Sequence, residues 1–232
     1  MTSNDSLKQQ AAEYAVKSVQ SDMIIGLGHG TTAIWAVRKI GQLIQAGTLR
    51  NVFGIPCSVL VEAEARELGI PLTTLEDHPA IDLTIDGADE VDPALNLIKG
   101  GGGALMREKI VAQASKREII IVDESKVVPA LGTHWAVPVE VIPFGYGSQI
   151  DYLKALGAEV KIRQGTGGNP FKTDQGNLIL DCNFGPISDP GALADKIKRR
   201  TGIVEHGLFI GLATEVIIAS ADGIREIKRE GH

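Results

Sequence analysis

The chain has 232 residues, 44% of them hydrophobic and 22% charged, with a formal net charge of −6 at pH 7. That length admits one large domain or two smaller ones with ample core, and the composition is that of an ordinary globular protein. The negative balance leaves no basic field for nucleic-acid backbones or anionic membranes, while a small phosphorylated ligand, which needs only a few local donors, stays open.

The first segment, MTSNDSLKQQAAEYAVKSVQ, has no apolar signal core. Residues 5–20 read as an amphipathic helix with Ala11, Ala12, Tyr14, Ala15 and Val19 inward. A short apolar run, Met23 to Ile25, then meets the turn Gly26-Leu27-Gly28-His29-Gly30-Thr31-Thr32 and a helical pattern to about Ala46. Strand, glycine turn and helix together present backbone N–H groups and a helix N-terminus to an anion. Thr31 and Thr32 either add donors there or cap the helix. The turn has only two glycines of a dinucleotide fingerprint and lacks the lysine of a nucleoside-triphosphate loop, so alone it is a weak motif.

Asn51–Ile55 reads as a second strand, Ser58–Leu68 as a helix closing at Gly69, and Ile70–Thr73 as a third strand. Ile81, Leu83 and Ile85 alternate as in a half-buried strand, whose end is crowded by Asp86, Asp89, Glu90 and Asp92. Lys99 precedes four glycines, Gly100 to Gly103, which lead into a helical pattern carrying Glu108. Four glycines in a row cost backbone entropy on folding, which points to close approach by a ligand or another segment. Glu108 lies on a face of small and apolar residues, where partial desolvation raises a carboxyl toward neutrality and suits a general base; an ion pair with Arg107 or Lys109 is the alternative. Glu118–Val122 is a further buried strand, followed by Asp123-Glu124-Ser125-Lys126.

Strands and helices alternating over the first 125 residues predict a doubly wound, mostly parallel sheet of the Rossmann-like type, with ligands beyond the carboxyl ends of its strands. From about Pro129 the order becomes strand (Val137–Ile142), helix (Ser148–Leu156), strand (Glu159–Arg163), strand (Asn177–Cys182), helix (Gly191–Arg199), strand (Ile203–Phe209). That is the order of a ferredoxin-like α+β unit. Gly165 to Pro170 reads as a flexible connector without chemistry. Val216–Ile218 reads as a strand and the residues after Asp222-Gly223 as a short helix, returning the chain to the first sheet. The expected domains are therefore 1–128 with 211–232, and an inserted 129–210. Cys57 and Cys182 lack metal spacing and read as free thiols of a cytoplasmic protein. The acidic cluster lacks the alternating Asp/Asn of a calcium loop, so no metal site is expected.

GLGHGTT, DGADEVD, KGGGGALMREK and DESK, in this order and spacing, resemble the type A ribose-5-phosphate isomerase family, and VPVEVIP and GLF extend the likeness over nearly the whole chain. The resemblance implies cofactor-free and metal-free interconversion of ribose 5-phosphate and ribulose 5-phosphate through a cis-enediolate, a step of pentose phosphate metabolism. It places Glu108 as the proton-transferring base, and Asp86 and Asp89, with Gly87 and Ala88 between them, on the sugar. Lys99 falls on the lysine that stabilises developing oxyanion charge, beside the backbone of Gly100, Gly101 and Gly102. His29, Gly30, Thr31 and Thr32 fall on the phosphate turn, and Lys126 on a further ligand-binding lysine. His29 replaces the family's usual Thr or Ser, and its backbone N–H rather than its ring is expected to serve. Lys8 is a weaker candidate for the phosphate. A homodimer or dimer of dimers is implied, with the small domain as a contact surface. An amino-sugar isomerase or deaminase, a coenzyme A transferase and a non-catalytic sugar-phosphate sensor are the rival readings. The DGADE and KGGGG pairing, the compact length and the lack of a DNA-binding module count against them in turn.

Overall fold

The computed structural model of the chain describes residues 3–229. Its first part runs α1 (Ser3–Val16), β1 (Ile24–Leu27), α2 (Ala33–Gln45), β2 (Phe53–Pro56), α3 (Val59–Glu67) and β3 (Leu83–Asp86). Next come β4 (Glu90–Val91), β5 (Leu97–Ile98), α4 (Leu105–Ala114), β6 (Glu118–Asp123), β7 (Val137–Val141), α5 (Tyr146–Ala155) and β8 (Glu159–Ile162). The chain closes with β9 (Leu178–Asn183), α6 (Pro190–Lys198), β10 (Ile203–His206), β11 (Leu208–Phe209), β12 (Glu215–Ser220) and β13 (Gly223–Lys228). Two compact units result. One holds the residues up to Ala88, Arg107–Lys126 and those from Gly211 on; the other holds Asp89–Met106 and Val127–Ile210.

The first unit is built on a six-stranded sheet in the order β13-β12-β6-β3-β1-β2, parallel except for β13. Helices cover both of its faces, as a doubly wound sheet requires. Side chains that alternate along a strand serve two layers. Ile25, Leu27, Leu83, Ile85, Ile119 and Ile121 face α1, α2 and α3, while Ile55, Ile81 and Val111 pack on the α4 side. In α2 the buried set Ala33, Ala36, Val37, Ile40 and Gly41 falls at helical spacing. The Ser58 side chain caps α3 by accepting from the Val61 N–H at 3.1 Å. Gly69, at φ +69°, ends that turn in the left-handed region.

The second unit carries an antiparallel sheet in the order β10-β7-β9-β8, with α5 and α6 packed around a shared core. Numbered within this sheet the order is 4-1-3-2, the ferredoxin-like arrangement. A second, three-stranded sheet, β11-β5-β4, belongs to the same unit.

Several expectations need correction. Residues 89–106 group with the second unit rather than the first, because β4 and β5 pair with β11 and not with the parallel sheet. Ile203–Phe209 is not one strand: it divides at Gly207 into β10 and β11, which enter different sheets. Residues 223–228 form a strand, not a helix, since the two-residue Ala221-Asp222 loop turns the chain into a hairpin pairing Ser220 with Gly223. Ile70–Thr73 contributes only an isolated bridge, Leu72 to Gly54, because Pro71 has no N–H to donate. Tyr14 is 37% exposed and donates its hydroxyl to Glu226, while Val16 takes an inward place in α1. No helix among the described residues is long and apolar enough to cross a membrane.

Candidate active site

In the first unit, β6, β3 and β1 are neighbours in the sheet and parallel, so the segments after them leave one edge. These segments are Gly28–Thr32, Asp86–Ala88 and Glu124–Lys126. The close pairing of the first two requires Gly28. A Cβ there would lie 2.4 Å from the Ile85 carbonyl oxygen and 2.5 Å from Asp86 Oδ1.

Asp86 is fully buried, and its Oδ1 accepts from the backbone N–H groups of His29 (2.9 Å) and Gly87 (2.7 Å). Two main-chain donors on one oxygen fix the plane of the carboxylate. The His29 N–H, expected from the sequence at the phosphate, here donates to Asp86. The His29 ring turns to the start of α3, with Nδ1 2.8 Å from Ser58 Oγ.

Gly30 (φ +105°) lets the chain enter α2. Thr32 stands at the N-cap position yet makes no side-chain cap hydrogen bond. Thr32 therefore does not act as a side-chain cap. Of the first-turn N–H groups, Ile34 donates to the Gly30 carbonyl and Trp35 to the Thr32 carbonyl, both at 3.1 Å, while the positive end of the helix dipole stays at this turn. The Thr31 hydroxyl accepts from Lys8 Nζ at 3.0 Å, which brings a lysine from α1 to this turn. Lys8 is the functional candidate that sequence reasoning set aside. Only its place on the same helix face as the buried alanines hinted at it. Lys126 ends a short 3-10 turn whose Ser125 N–H and hydroxyl both donate to Asp123.

Glu108 lies in the first turn of α4 and is only 4% exposed. The last residue of that helix, Ala114, accepts from the Ile81 N–H just ahead of β3. The helix thus runs back along the sheet, and its first turn, about 15 Å away at 1.5 Å per residue, points toward the carboxyl edge. His29, Gly30, Thr31, Thr32, Asp86, Gly87, Ala88, Glu108 and Lys126, with the weaker candidate Lys8, are the first unit's share of the predicted residues.

The second unit supplies Asp89, Lys99 and the glycine loop. Asp89 Oδ2 accepts from the Gly101 N–H at 2.7 Å, and a Cβ on Gly101 would lie 2.6 Å from Asp89 Oδ1. Glycine is required here by the carboxylate. Lys99 is 1% exposed; its N–H donates to the Gly207 carbonyl and its ammonium sits 5.5 Å over the Phe209 ring. Gly100 (φ +100°) and Gly103 (φ +87°) shape a turn closed by the Gly103 N–H on the Gly100 carbonyl.

The other two acidic residues are structural. Glu90 is buried and accepts from the N–H groups of Gly132, His134 and Trp135, fixing that loop. Asp92 accepts from the N–H groups of Ala94 and Asn96 in a local turn. Residues 165–170 also depart from the expected free connector. The Gly165 N–H donates to the Asn169 carbonyl, and the Phe171 ring occupies the space a Cβ on Gly103 would need. Among the described residues no cluster of three or more His, Cys, Asp or Glu is arranged to hold a metal ion. A cleft of about 870 Å³ on the first unit, lined by Ile55, Arg66, Leu72, Thr74 and Arg107, includes none of the predicted residues.

The family model for ribose 5-phosphate isomerase A (phosphoriboisomerase A) matches residues 53–223. The ribose-5-phosphate isomerase A of Desulfatibacillum aliphaticivorans is 56% identical over 228 residues, covering 98% of this chain and 99% of its own length. That of Chloroflexus aurantiacus is 55% identical over 226 residues, 97% and 95% of the two chains. Among solved structures, a D-ribose-5-phosphate isomerase in complex with phospho-erythronic acid superposes with a TM-score of 0.96 at 37% identity, covering 98% of this chain and 100% of its own. The ribose 5-phosphate isomerase of Plasmodium falciparum gives 0.94 at 46% identity, covering 97% and 99%.

Proposed function

Since the chain belongs to the ribose 5-phosphate isomerase A family and interconverts ribose 5-phosphate and ribulose 5-phosphate, we propose the following division of labour among its residues. Moving a proton between adjacent carbons needs one base on one face of the sugar and donors for the oxygen that gains charge. Glu108 is the base. Its carboxylate takes the C2 proton of the open-chain aldose, the C2 electron pair forms the C1–C2 double bond, and the carbonyl electrons move to O1. The same carboxyl returns the proton to C1 as O2 becomes the new carbonyl and its hydroxyl proton passes to O1.

Lys99 stabilises the enediolate oxygens, and its burial strengthens that interaction relative to water. Asp86 and Asp89 hold the sugar hydroxyls and assist ring opening, each carboxylate aimed by the backbone N–H groups it accepts from. The phosphate is held by the α2 N-terminus, the Thr31 and Thr32 hydroxyls, Lys8 and Lys126, the donor types a dianion requires. The complex of a similar isomerase with phospho-erythronic acid supports a small phosphosugar ligand of this kind. The buried Cys57 and Cys182, neither in a disulfide, fit a cytoplasmic location. A homodimer fits the exposed Leu60 (72%) and Phe144 (88%), apolar side chains that a partner surface would cover.

The burial of Glu108 at the start of α4 is the observation that carries this reading. Glu108→Gln keeps shape and hydrogen bonding and removes the base. Turnover should fall by about 10²- to 10⁴-fold, with substrate affinity within a few-fold of wild type by calorimetry. Turnover near the wild-type value would overturn the assignment.

A further inference from the structure

A run of four glycines is the least ordered loop a chain can make, since each residue adopts both signs of φ at no steric cost. A loop that must present N–H groups to a reacting oxygen needs fixed directions. Something must hold it, and within the second unit that is Arg163. This residue follows β8 and is tied into its neighbours, with its N–H on the Ile179 carbonyl and its own carbonyl accepting from Phe171. Its side chain is 15% exposed. Nε and Nη2 donate to the two oxygens of Asp181 at 3.0 and 2.5 Å. Nη1 donates to the carbonyls of Gly100 (2.8 Å) and Gly101 (3.0 Å).

The consequence lies on the far side of each peptide. Trans peptide planes hold C=O and N–H antiparallel, and the chain contains no cis bond among its described residues. In the Gly100–Gly101 peptide the carbonyl meets Arg163 and the N–H meets Asp89, so both ends are fastened. In the Gly101–Gly102 peptide the carbonyl also meets Arg163, which aims the Gly102 N–H away from the guanidinium, at a residue that is exposed. A cationic donor on the carbonyl also polarises that peptide and strengthens its N–H as a donor.

We propose that Arg163, aligned by Asp181, is a positioning residue for the isomerisation: it clamps the Gly100 and Gly101 carbonyls so that the Gly102 N–H is a pre-aimed donor to a substrate oxygen that gains charge in the transition state. The role rests on the reading above that the glycine loop contacts the substrate. Arg163 itself touches only protein. Its planar fork reaches a carboxylate and two carbonyls together, which a single ammonium does not.

The test is steady-state kinetics on Arg163→Met, Arg163→Lys and Asp181→Asn, normalised to folded protein by circular dichroism, with Glu108→Gln measured alongside. Misplacing a catalytic donor by an ångström costs up to about 10²-fold. Arg163→Met should therefore lose about tenfold to a hundredfold in kcat, with KM changed by less than the loss in kcat. Arg163→Lys should recover part of it, and Asp181→Asn should lose less and be non-additive with Arg163→Met. A merely structural ion pair of the small unit would instead lower the folded fraction and leave kcat per folded molecule unchanged. That result in Arg163→Met overturns the proposal, as does unchanged kcat in Asp181→Asn should Arg163→Met not fold. Full activity in Glu108→Gln would refute the site reading itself. Loss there with intact kcat in the Arg163 variants would refute only the positioning role.

Discussion

Four acidic residues within seven positions have two fates, decided by what their oxygens accept. Asp86 and Asp89 take N–H groups from the loops we assign to the ligand, whereas Glu90 and Asp92 take N–H groups that hold the fold. His29 shows the same logic. Its N–H, which any residue retains, holds Asp86, and its ring engages Ser58. His29→Thr should therefore leave turnover within a few-fold at pH 8, measured by ribulose 5-phosphate formation; a large loss would return the ring to the chemistry. Asp86, Asp89, Lys99 and Glu108, to which we assign the chemistry, were legible as candidates because they lie within one continuous stretch whose spacing carries its own meaning. Lys8 and Arg163 were not, since their partners Thr31 and Gly100 are 23 and 63 residues away. Only folding brings such pairs together.

Among the elements, periodicity announced the long ones and failed on the shortest. β4, β5 and β11 have two residues each, too few to alternate; β4 pairs locally with β5, but β11 joins β5 across more than a hundred residues. The β12–β13 hairpin carried a readable turn signal in Asp222-Gly223, outweighed by the helical look of the residues that follow. The N-caps make a testable contrast. Ser58 caps α3 through its hydroxyl, while Thr32 at α2 makes no such bond. Ser58→Ala should cost about 1 kcal/mol of stability, seen as a lower denaturant midpoint, whereas Thr32→Ala should leave the midpoint unchanged and weaken substrate binding. A midpoint drop of equal size in both would show that Thr32 serves the helix after all.

For the molecule as a whole, two carboxyls, one in each unit, contribute to the pH dependence of stability in opposite directions. In the second, Glu140 is buried on β7, with Oε1 accepting from Thr173 and Asn177, and burial raises its pKa above the ordinary glutamate range. A raised native pKa means stability that is fully present below the ordinary value and lost as pH rises through the native one. In the first unit, the Lys116 hydrogen bond holds Asp82 below the ordinary aspartate range, so that contribution is present above the ordinary value and fades on acidification. The Asp82–Lys116 pair is largely exposed and small in effect. Glu140→Gln should flatten the fall in melting temperature on the alkaline side of the glutamate range and leave the acid limb in place. An unchanged alkaline slope would show that Glu140 does not set it.

The assignment of proton transfer to Glu108 is tested most directly by running the reaction in deuterium oxide and following C1 and C2 of the sugar phosphate by proton NMR. The wild-type protein should wash solvent deuterium into the sugar as it isomerises, because the carboxyl exchanges its proton while it carries it. Glu108→Gln should still bind the sugar phosphate and show neither isomerisation nor wash-in. Undiminished isomerisation and exchange in that variant would contradict proton transfer through Glu108.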